Sequence, residues 1–485
     1  MSRPLWSYEA FLAGIKGRAF NTRPETITGI SIDSRTVQPG EAFFAIAGDR
    51  FDGHDYVSSA LARGAATAVV SEARLITLGR VKGSLTVVPD VLAALADLGR
   101  AARARSSAGV IAVTGSVGKT GTKEMLARAL ATEGEVHYSP ASFNNHWGVP
   151  LTLARLPESA RFAVFEIGMN HAGEIDPLTR MVRPHAAIVT TVEPVHLEYF
   201  KNVKEIAKAK GEIFNGLVPG GAAIINRDNP HYAALAKMAK AAGVTRIIGF
   251  GEHLKADVRL EKVKLKDICS CVSASVLGEP MTYKLGAPGR HVVQNSLAVL
   301  AAVSVVGGDL AKTAMALGDM AAPKGRGERH RLHFDEGGKA VLIDESYNAN
   351  PASMRAAIAL LGQAVPRHEG RRVAVLGDMR ELGKDTPTLH AELAGILVES
   401  GIDQVFMVGP LMASLRDALP LRRIGGYAET AKELEPLLFE ALAPGDVIMV
   451  KGSNASRMGP LVEALKARFA SSRAEADDHH GQEMA

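Results

Sequence analysis

Val110-Ile111-Ala112-Val113-Thr114-Gly115-Ser116-Val117-Gly118-Lys119-Thr120 decides the fold. Four apolar residues in a row read as a buried strand, a glycine turn follows, and a helix is predicted from about Thr120. Strand, glycine turn and helix in that order form the setting of a phosphate-binding loop. Its glycines let backbone N–H groups turn toward phosphate oxygens, and the helix end adds partial positive charge. In such a loop Gly115, Ser116, Val117, Gly118 and Gly121 line a nucleotide's phosphates. Lys119 then reaches the terminal phosphates and the Thr120 hydroxyl binds Mg²⁺. Val113 stands where the general pattern has its first glycine, and the competing reading is an ordinary strand-to-helix turn.

Working outward, Ala163-Val164-Phe165 and Ala187-Ile188-Val189-Thr190 are further buried-strand candidates. Strands alternating with helical patterns predict a mostly parallel sheet covered on both faces. Upstream, Ile30 to Arg35 alternates like a strand, Gln38-Pro39-Gly40 turns the chain, and Ala42 to Ile46 reads as a second strand. Val91 to Ala104 is a helical connector. Beyond Pro323, four apolar runs begin at Val341, Val373, Val405 and Val447, and each ends at Gly, Asp or Lys, as strands do at a ligand crevice. With 485 residues and roughly 150 per domain, the fold class is α/β in three domains. Residues 1–88 form a small α/β domain, 89–322 a central P-loop ATPase-like domain, and 323–470 a C-terminal Rossmann-like domain. Polar residues 471–485 are expected to be a disordered tail, with His479-His480 solvated.

Hydrophobic residues are 47% and charged residues 22%, so the chain folds. Few aromatics (5%) and 48 glycines favour open α/β layers over a β-sandwich. Lys+Arg 56 against Asp+Glu 52 gives +4, too mild for a dedicated nucleic-acid binder. Cys269 and Cys271 make a single C-x-C, insufficient for a zinc site or a disulfide framework. Met1 to Phe11 lacks a signal-peptide pattern, and Leu297 to Val306 is too short to span a bilayer. A cytoplasmic monomer without an integral membrane segment is expected.

Glu166 closes the apolar run from Arg161, placing a carboxylate at a strand end beside the phosphate loop, where Mg²⁺ would sit. His196 follows the next strand; taken alone, such a histidine is more often a surface or capped residue. Ile206, Lys210, Ile213, Phe214 and Leu217 follow i, i+4, i+7, i+8, i+11 and share one helical face, while Lys201, Lys204 and Lys208 lie opposite. A lysine on the apolar stripe must snorkel, pair or change chemical form. Burial lowers its pKa and yields the neutral amine that CO₂ can carbamylate.

The T-G-[ST]-x-G-K-T loop, with its missing first glycine, resembles the ATP site of the Mur ligase family. Those enzymes join a carboxylate to an amine at the expense of ATP, and folylpolyglutamate synthetases belong with them. Phe165-Glu166-Ile167-Gly168-Met169-Asn170-His171 resembles the family's metal-binding glutamate motif, and His196 its second metal ligand. Ala209-Lys210-Gly211-Glu212 resembles the family's carbamylated lysine, whose new carboxylate helps bind a second Mg²⁺. Gly289 to Asn295 resembles the adenine-contacting segment, which makes His291 and Asn295 candidates. Arg326 in Gly325-Arg326-Gly327-Glu328 matches a position near the ATP phosphates. Asp344-Glu345-Ser346-Tyr347-Asn348-Ala349-Asn350 resembles a nucleotide-contacting motif through Asp344, Tyr347 and Asn348, and Lys451-Gly452-Ser453 a closing loop. Asn144 and Asn145, in Ser142 to Pro150, match a segment lining the substrate channel.

Asp33 to Gly40 and Gly48 to Asp55 resemble the uridine-nucleotide module of late Mur ligases, which implies substrate roles for Ser34, Arg35, Phe51, Asp52 and His54. Gly377-Asp378-Met379-Arg380-Glu381-Leu382-Gly383 stands where the enzyme adding the third peptide residue typically has D-N-P-R. The resemblance runs from Thr28 to Gly459. It implies ATP-dependent joining of D-alanyl-D-alanine to UDP-N-acetylmuramoyl-tripeptide through an acyl phosphate, with Lys119, Glu166, His196 and Lys210 catalytic. Two Mg²⁺ ions would be held by Thr120, Glu166, His196 and N6-carboxylated Lys210. Another Mur-type ligase, and a P-loop kinase or NTPase, stay open as alternatives, as does the tripeptide's third residue.

Overall fold

The strand Gly109–Thr114 lies inside a nine-stranded sheet in the computed structural model, which describes residues 4–48, 50–367 and 369–470. Residues 471–485, the expected tail, lie outside the described residues. Val110 to Val113 have no solvent exposure, which explains their uninterrupted apolar run. The sheet order places Ala186–Val189 on one side of Gly109–Thr114 and Phe162–Glu166 on the other, all parallel. The strand order therefore reverses at Gly109–Thr114. Such a switch point opens a crevice at the carboxyl ends of the strands, and the phosphate loop, Glu166 and Thr190 leave the sheet there.

At the far edge the sheet continues as three antiparallel strands, Val258–Leu265, Ser270–Val276 and Glu279–Leu285. Their alternation of buried and half-exposed residues is that of a sheet with one face solvated. The two cysteines sit at this edge, both free.

The N-terminal five-stranded sheet runs Arg18–Phe20, Leu85–Val88, Thr67–Ser71, Glu41–Phe44 and Gly29–Ser31. The run read as a strand to Arg35 stops at Ser31. Asp33 accepts hydrogen bonds from the Arg35 backbone and guanidinium, and this local pairing turns the chain. This sheet shares a core with the central one: Trp6, Phe11 and Ile30 pack with Val149, Leu153 and Ala154. Arg155 donates to the Ile30 carbonyl at 2.7 Å, and the Arg105 guanidinium lies 3.3 Å from the centre of the Trp6 ring.

The third sheet is six-stranded: Glu328–His333, Lys339–Glu345, Val447–Lys451, Arg372–Gly377, Gln404–Val408 and Ile424–Ala428, parallel except for the first pair. Its cores are separate from those of the other two sheets. The chain thus joins two rigidly packed units to a third that meets them across a cleft. Among the described residues no helix is long and apolar enough to cross a membrane.

His137 on the edge strand Val136–Tyr138 donates Nε2–H to the Thr152 carbonyl at 2.6 Å, and burial pushes its pKa down to about 4. The unfolded chain takes up this proton near pH 6.5 while the folded chain resists it. Stability is therefore expected to fall as pH drops from about 6.5 toward 4. Thermal melts against pH should show that fall flattened in His137→Gln.

Candidate active site

Two glycines shape the loop between Gly109–Thr114 and the helix Lys119–Ala131. Gly115 has φ +152°, and a Cβ there would lie 1.8 Å from Thr190 Oγ. Gly118 has φ +86°, and a Cβ there would lie 2.9 Å from Asn295 Nδ2. Only glycine fits both places. The loop is tied to the next strand end: Thr190 donates to the Val117 carbonyl at 2.6 Å, and Ser116 exchanges hydrogen bonds with the Glu193 backbone. Lys119 folds back to donate to the Gly115 carbonyl at 2.8 Å. Burial pushes its ammonium below the usual range, with Glu166 opposing and Arg326 adding to the effect.

Glu166 is 2% exposed. One carboxylate oxygen accepts from Thr120 Oγ at 2.9 Å and the other from Asn144 Nδ2 at 2.7 Å. Lys210 is also 2% exposed; the helix Val203–Gly211 buries it and leaves Lys204 and Lys208 in solvent. Beyond Gly211 the chain tightens into a 3-10 turn, so the predicted helical face ends a turn early. Burial, and then the charge of Lys119, hold the Lys210 amine well below its ordinary pKa.

A cleft of about 640 Å³ brings together Ser116 to Gly121, Asn144, Glu166, His196, His291, Asn295, Arg326, Tyr347 and Asn348. Asp344 sits behind it, buried, accepting the Gly325 and Ser346 backbone N–H groups. That fold places Arg326 over the Tyr347 ring at 4.0 Å. Lys451 bridges the Asn348 carbonyl (2.9 Å) and Glu345 (3.3 Å).

The N-terminal candidates stand elsewhere. Phe51 is 71% exposed and Arg35 is engaged with Asp33, with Ser34 buried beside it. Asp52 and His54 are committed to each other: Nδ1 of His54 contacts Asp52 at 2.6 Å, Nε2 accepts the Ser71 N–H, and Asp52 also pairs with Arg74. They brace the segment that presents Phe51. Asn145 likewise serves the scaffold, its side-chain oxygen accepting the Gly148 N–H at 2.9 Å.

Several groups in the cleft escaped the sequence reading. Ser142 lies 3.3 Å from Thr120 Oγ and accepts Tyr347 OH at 2.8 Å across the cleft. Glu381 meets His196 Nδ1 at 2.5 Å, and both residues carry left-handed backbones (φ +62° and +56°). Non-glycine residues held in that conformation concentrate at functional sites. Glu193 faces Arg355 at 3.5 Å. A polar residue just past a strand end is the available signal for Glu193; Glu381 lies in the segment Gly377 to Gly383, where nothing marks its meeting with His196.

Family models match the chain in three pieces: the catalytic domain of the Mur ligase family over residues 26–103, the Mur ligase middle domain over 113–303, and the Mur ligase glutamate ligase domain over 325–454. The UDP-N-acetylmuramoyl-tripeptide–D-alanyl-D-alanine ligase of Escherichia coli strain K12 is 34% identical over 444 residues, 91% of this chain and 94% of its own. The chain belongs to the Mur ligase family. A Bacillus subtilis protein of the same name is 33% identical, covering 93% of this chain and 96% of its own. Among solved structures, MurF from Acinetobacter baumannii superposes with a TM-score of 0.83 at 30% identity, covering 96% of this chain and all of that one. The MurF ligase of Thermotoga maritima, solved with ADP, gives 0.76 at 25% identity, covering 91% and 97%.

As a Mur ligase it forms amide bonds and depends on ATP with Mg²⁺. The donor set fits. The glycine cradle and Lys119 suit a phosphate chain, and a buried carboxylate beside a threonine hydroxyl suits a hard divalent ion.

Proposed function

We propose that this Mur ligase joins D-alanyl-D-alanine to UDP-N-acetylmuramoyl-tripeptide, yielding the pentapeptide nucleotide, ADP and phosphate. The observation that carries the reading is the single cleft in which the phosphate cradle and buried Glu166 face Tyr347, Arg326 and Glu381 of the third sheet unit. Near-full-length similarity to relatives of that one name supports it.

The tripeptide's terminal carboxylate attacks the γ-phosphorus of ATP, the bond to ADP breaks, and an acyl phosphate forms. The dipeptide amine then attacks the acyl carbon, loses a proton, and expels phosphate. Lys119 follows the γ-phosphoryl charge, and the loop N–H groups hold the phosphate chain without reorganising. Thr120, Glu166, His196 and N6-carboxylated Lys210 would hold Mg²⁺, which neutralises phosphate charge when bound. His291 and Asn295 flank the adenine, Asp344 and Arg326 the rest of the nucleotide, and Asn144 presents the tripeptide end. Ser34, Arg35 and Phe51 face the uridine half, with Asp52 and His54 bracing them. Domains 1–88, 89–322 and 323–470 divide these tasks as uridine holder, ATP site and closing unit.

Mass spectrometry of the product tests the choice among Mur-type reactions. With UDP-N-acetylmuramoyl-tripeptide, D-alanyl-D-alanine and ATP supplied together, the nucleotide should gain the dipeptide's mass less one water. Addition of a single amino acid to the dipeptide nucleotide, or of glutamate to a folate, would replace this reading with another member's.

A further inference from the structure

Lys123 stands one helical turn past Lys119 and has no solvent exposure at all. Charged side chains are almost never buried so completely unless every donor is used. An ammonium has three N–H donors, and three acceptors surround this one: the Ser139 carbonyl at 2.5 Å, the Ala141 carbonyl at 3.3 Å and Glu124 at 3.0 Å. Ser139 Oγ donates to the same Ala141 carbonyl at 2.6 Å, which closes the loop on itself. The lysine therefore fastens the segment leaving the strand Val136–Tyr138 to the phosphate-loop helix.

Immediately after this fastening the chain enters the part of the cleft that touches both halves of the site. Ser142 comes next, between Thr120 Oγ and Tyr347 OH. Asn144 then donates to Glu166 and accepts the Gly168 N–H through its carbonyl at 2.8 Å. Thr120 and Lys123 are three residues apart and share a helix face. One face thus carries the hydroxyl at the metal position and the ammonium that sets the loop opposite it.

We propose that Lys123 is a positioning residue of the ligation reaction: it fixes Ser142 and Asn144 against the Thr120–Glu166 pair and so aligns the bound tripeptide carboxylate with the nucleotide. The proposal rests on the reading that Asn144 and its neighbours line the tripeptide's path. The phosphate loop itself is held by Thr190 and by the Glu193 backbone, neither of which Lys123 touches. Its loss should therefore spare nucleotide affinity and impair alignment, where an ångström of misplacement costs about 10²-fold in rate.

The test compares Lys123→Met, Lys123→Gln and Lys123→Arg with wild type in full-length protein. ADP affinity is measured by calorimetry, and kcat/KM for the tripeptide nucleotide by phosphate release. For Lys123→Met, kcat/KM should fall about 100-fold with ADP affinity within about 3-fold of wild type. Lys123→Gln, which keeps two amide N–H donors, should fall less, and Lys123→Arg should recover most of the loss. Asn144→Ala should reproduce the defect, and Lys123→Gln with Asn144→Ala together should cost little more than the worse single variant. Wild-type kcat/KM in Lys123→Met would overturn the proposal, as would an equal loss of ADP affinity or fully additive effects. If neither Lys123→Met nor Lys123→Gln folds, the residue belongs to the fold alone and the proposal also fails. A wild-type chain that ligates no dipeptide would count against the function, not against Lys123.

Discussion

Lys119→Ala is expected to lower turnover by about 10²–10³-fold, the size found when a single stabiliser of transition-state charge is removed. That range corresponds to about 2.7–4 kcal/mol of barrier. The expectation comes from geometry. Lys119 begins the helix at the loop, its ammonium donates to the Gly115 carbonyl, and burial has stripped much of its water. It is a charge satisfied by a single neutral carbonyl, in the loop where the γ-phosphoryl group must pass. Folding should be untouched, because no ion pair is broken. The decisive comparison is phosphate release in the presence of both acyl donor and dipeptide, with thermal melting as control. Near wild-type turnover in a well-folded Lys119→Ala protein would remove this loop from the reaction.

Lys210 makes the second large prediction, and stability and activity should move in opposite directions. Its amine is buried, and burial and then the charge of Lys119 hold its pKa well below 10.5. Unfolding lets it take up a proton, so in the unliganded, uncarboxylated protein stability rises with pH from the lowered pKa toward 10.5. Lys210→Met removes that burden and should melt at least as high as wild type near neutral pH. Turnover should fall by about 10²-fold or more, because the carboxylate proposed to hold the second Mg²⁺ cannot form. In ¹³C-bicarbonate the wild type should show a carbamate carbon that Lys210→Met lacks. An ammonium that stays unmodified at high bicarbonate and neutral pH would sink the carboxylation, whatever the turnover.

The legible parts of the molecule were those where chemistry and chain order coincide. Gly115, Gly118, Lys119 and Thr120 fall within six residues of one another, although the atoms that forbid a Cβ at the two glycines belong to Thr190 and Asn295, far along the chain. Lys210 was legible because a helix repeats, and a lysine in phase with Ile206 and Ile213 must face the core. The same test finds Lys123, in phase with Leu126, Ala127 and Leu130, all buried. Contacts made across the cleft were not legible. Glu381 meets His196 from 185 residues away, and Tyr347 meets Ser142 from 205. No local pattern records such a meeting. His54 shows the converse error of emphasis: its motif drew attention, yet both ring nitrogens serve the local scaffold. The strands from Val258 to Leu285 show little apolar alternation in sequence, because lysines and serines fill their solvated face.

Above all, phosphoryl transfer in this cleft is held to be harnessed to one amide bond. Phosphate release from ATP, followed with Mg²⁺ while UDP-N-acetylmuramoyl-tripeptide and D-alanyl-D-alanine are supplied separately and then together, tests this most directly. Sustained release only when both are present is the predicted result. Release that proceeds at the same rate without either would contradict it and leave a nucleotide hydrolase in place of a ligase.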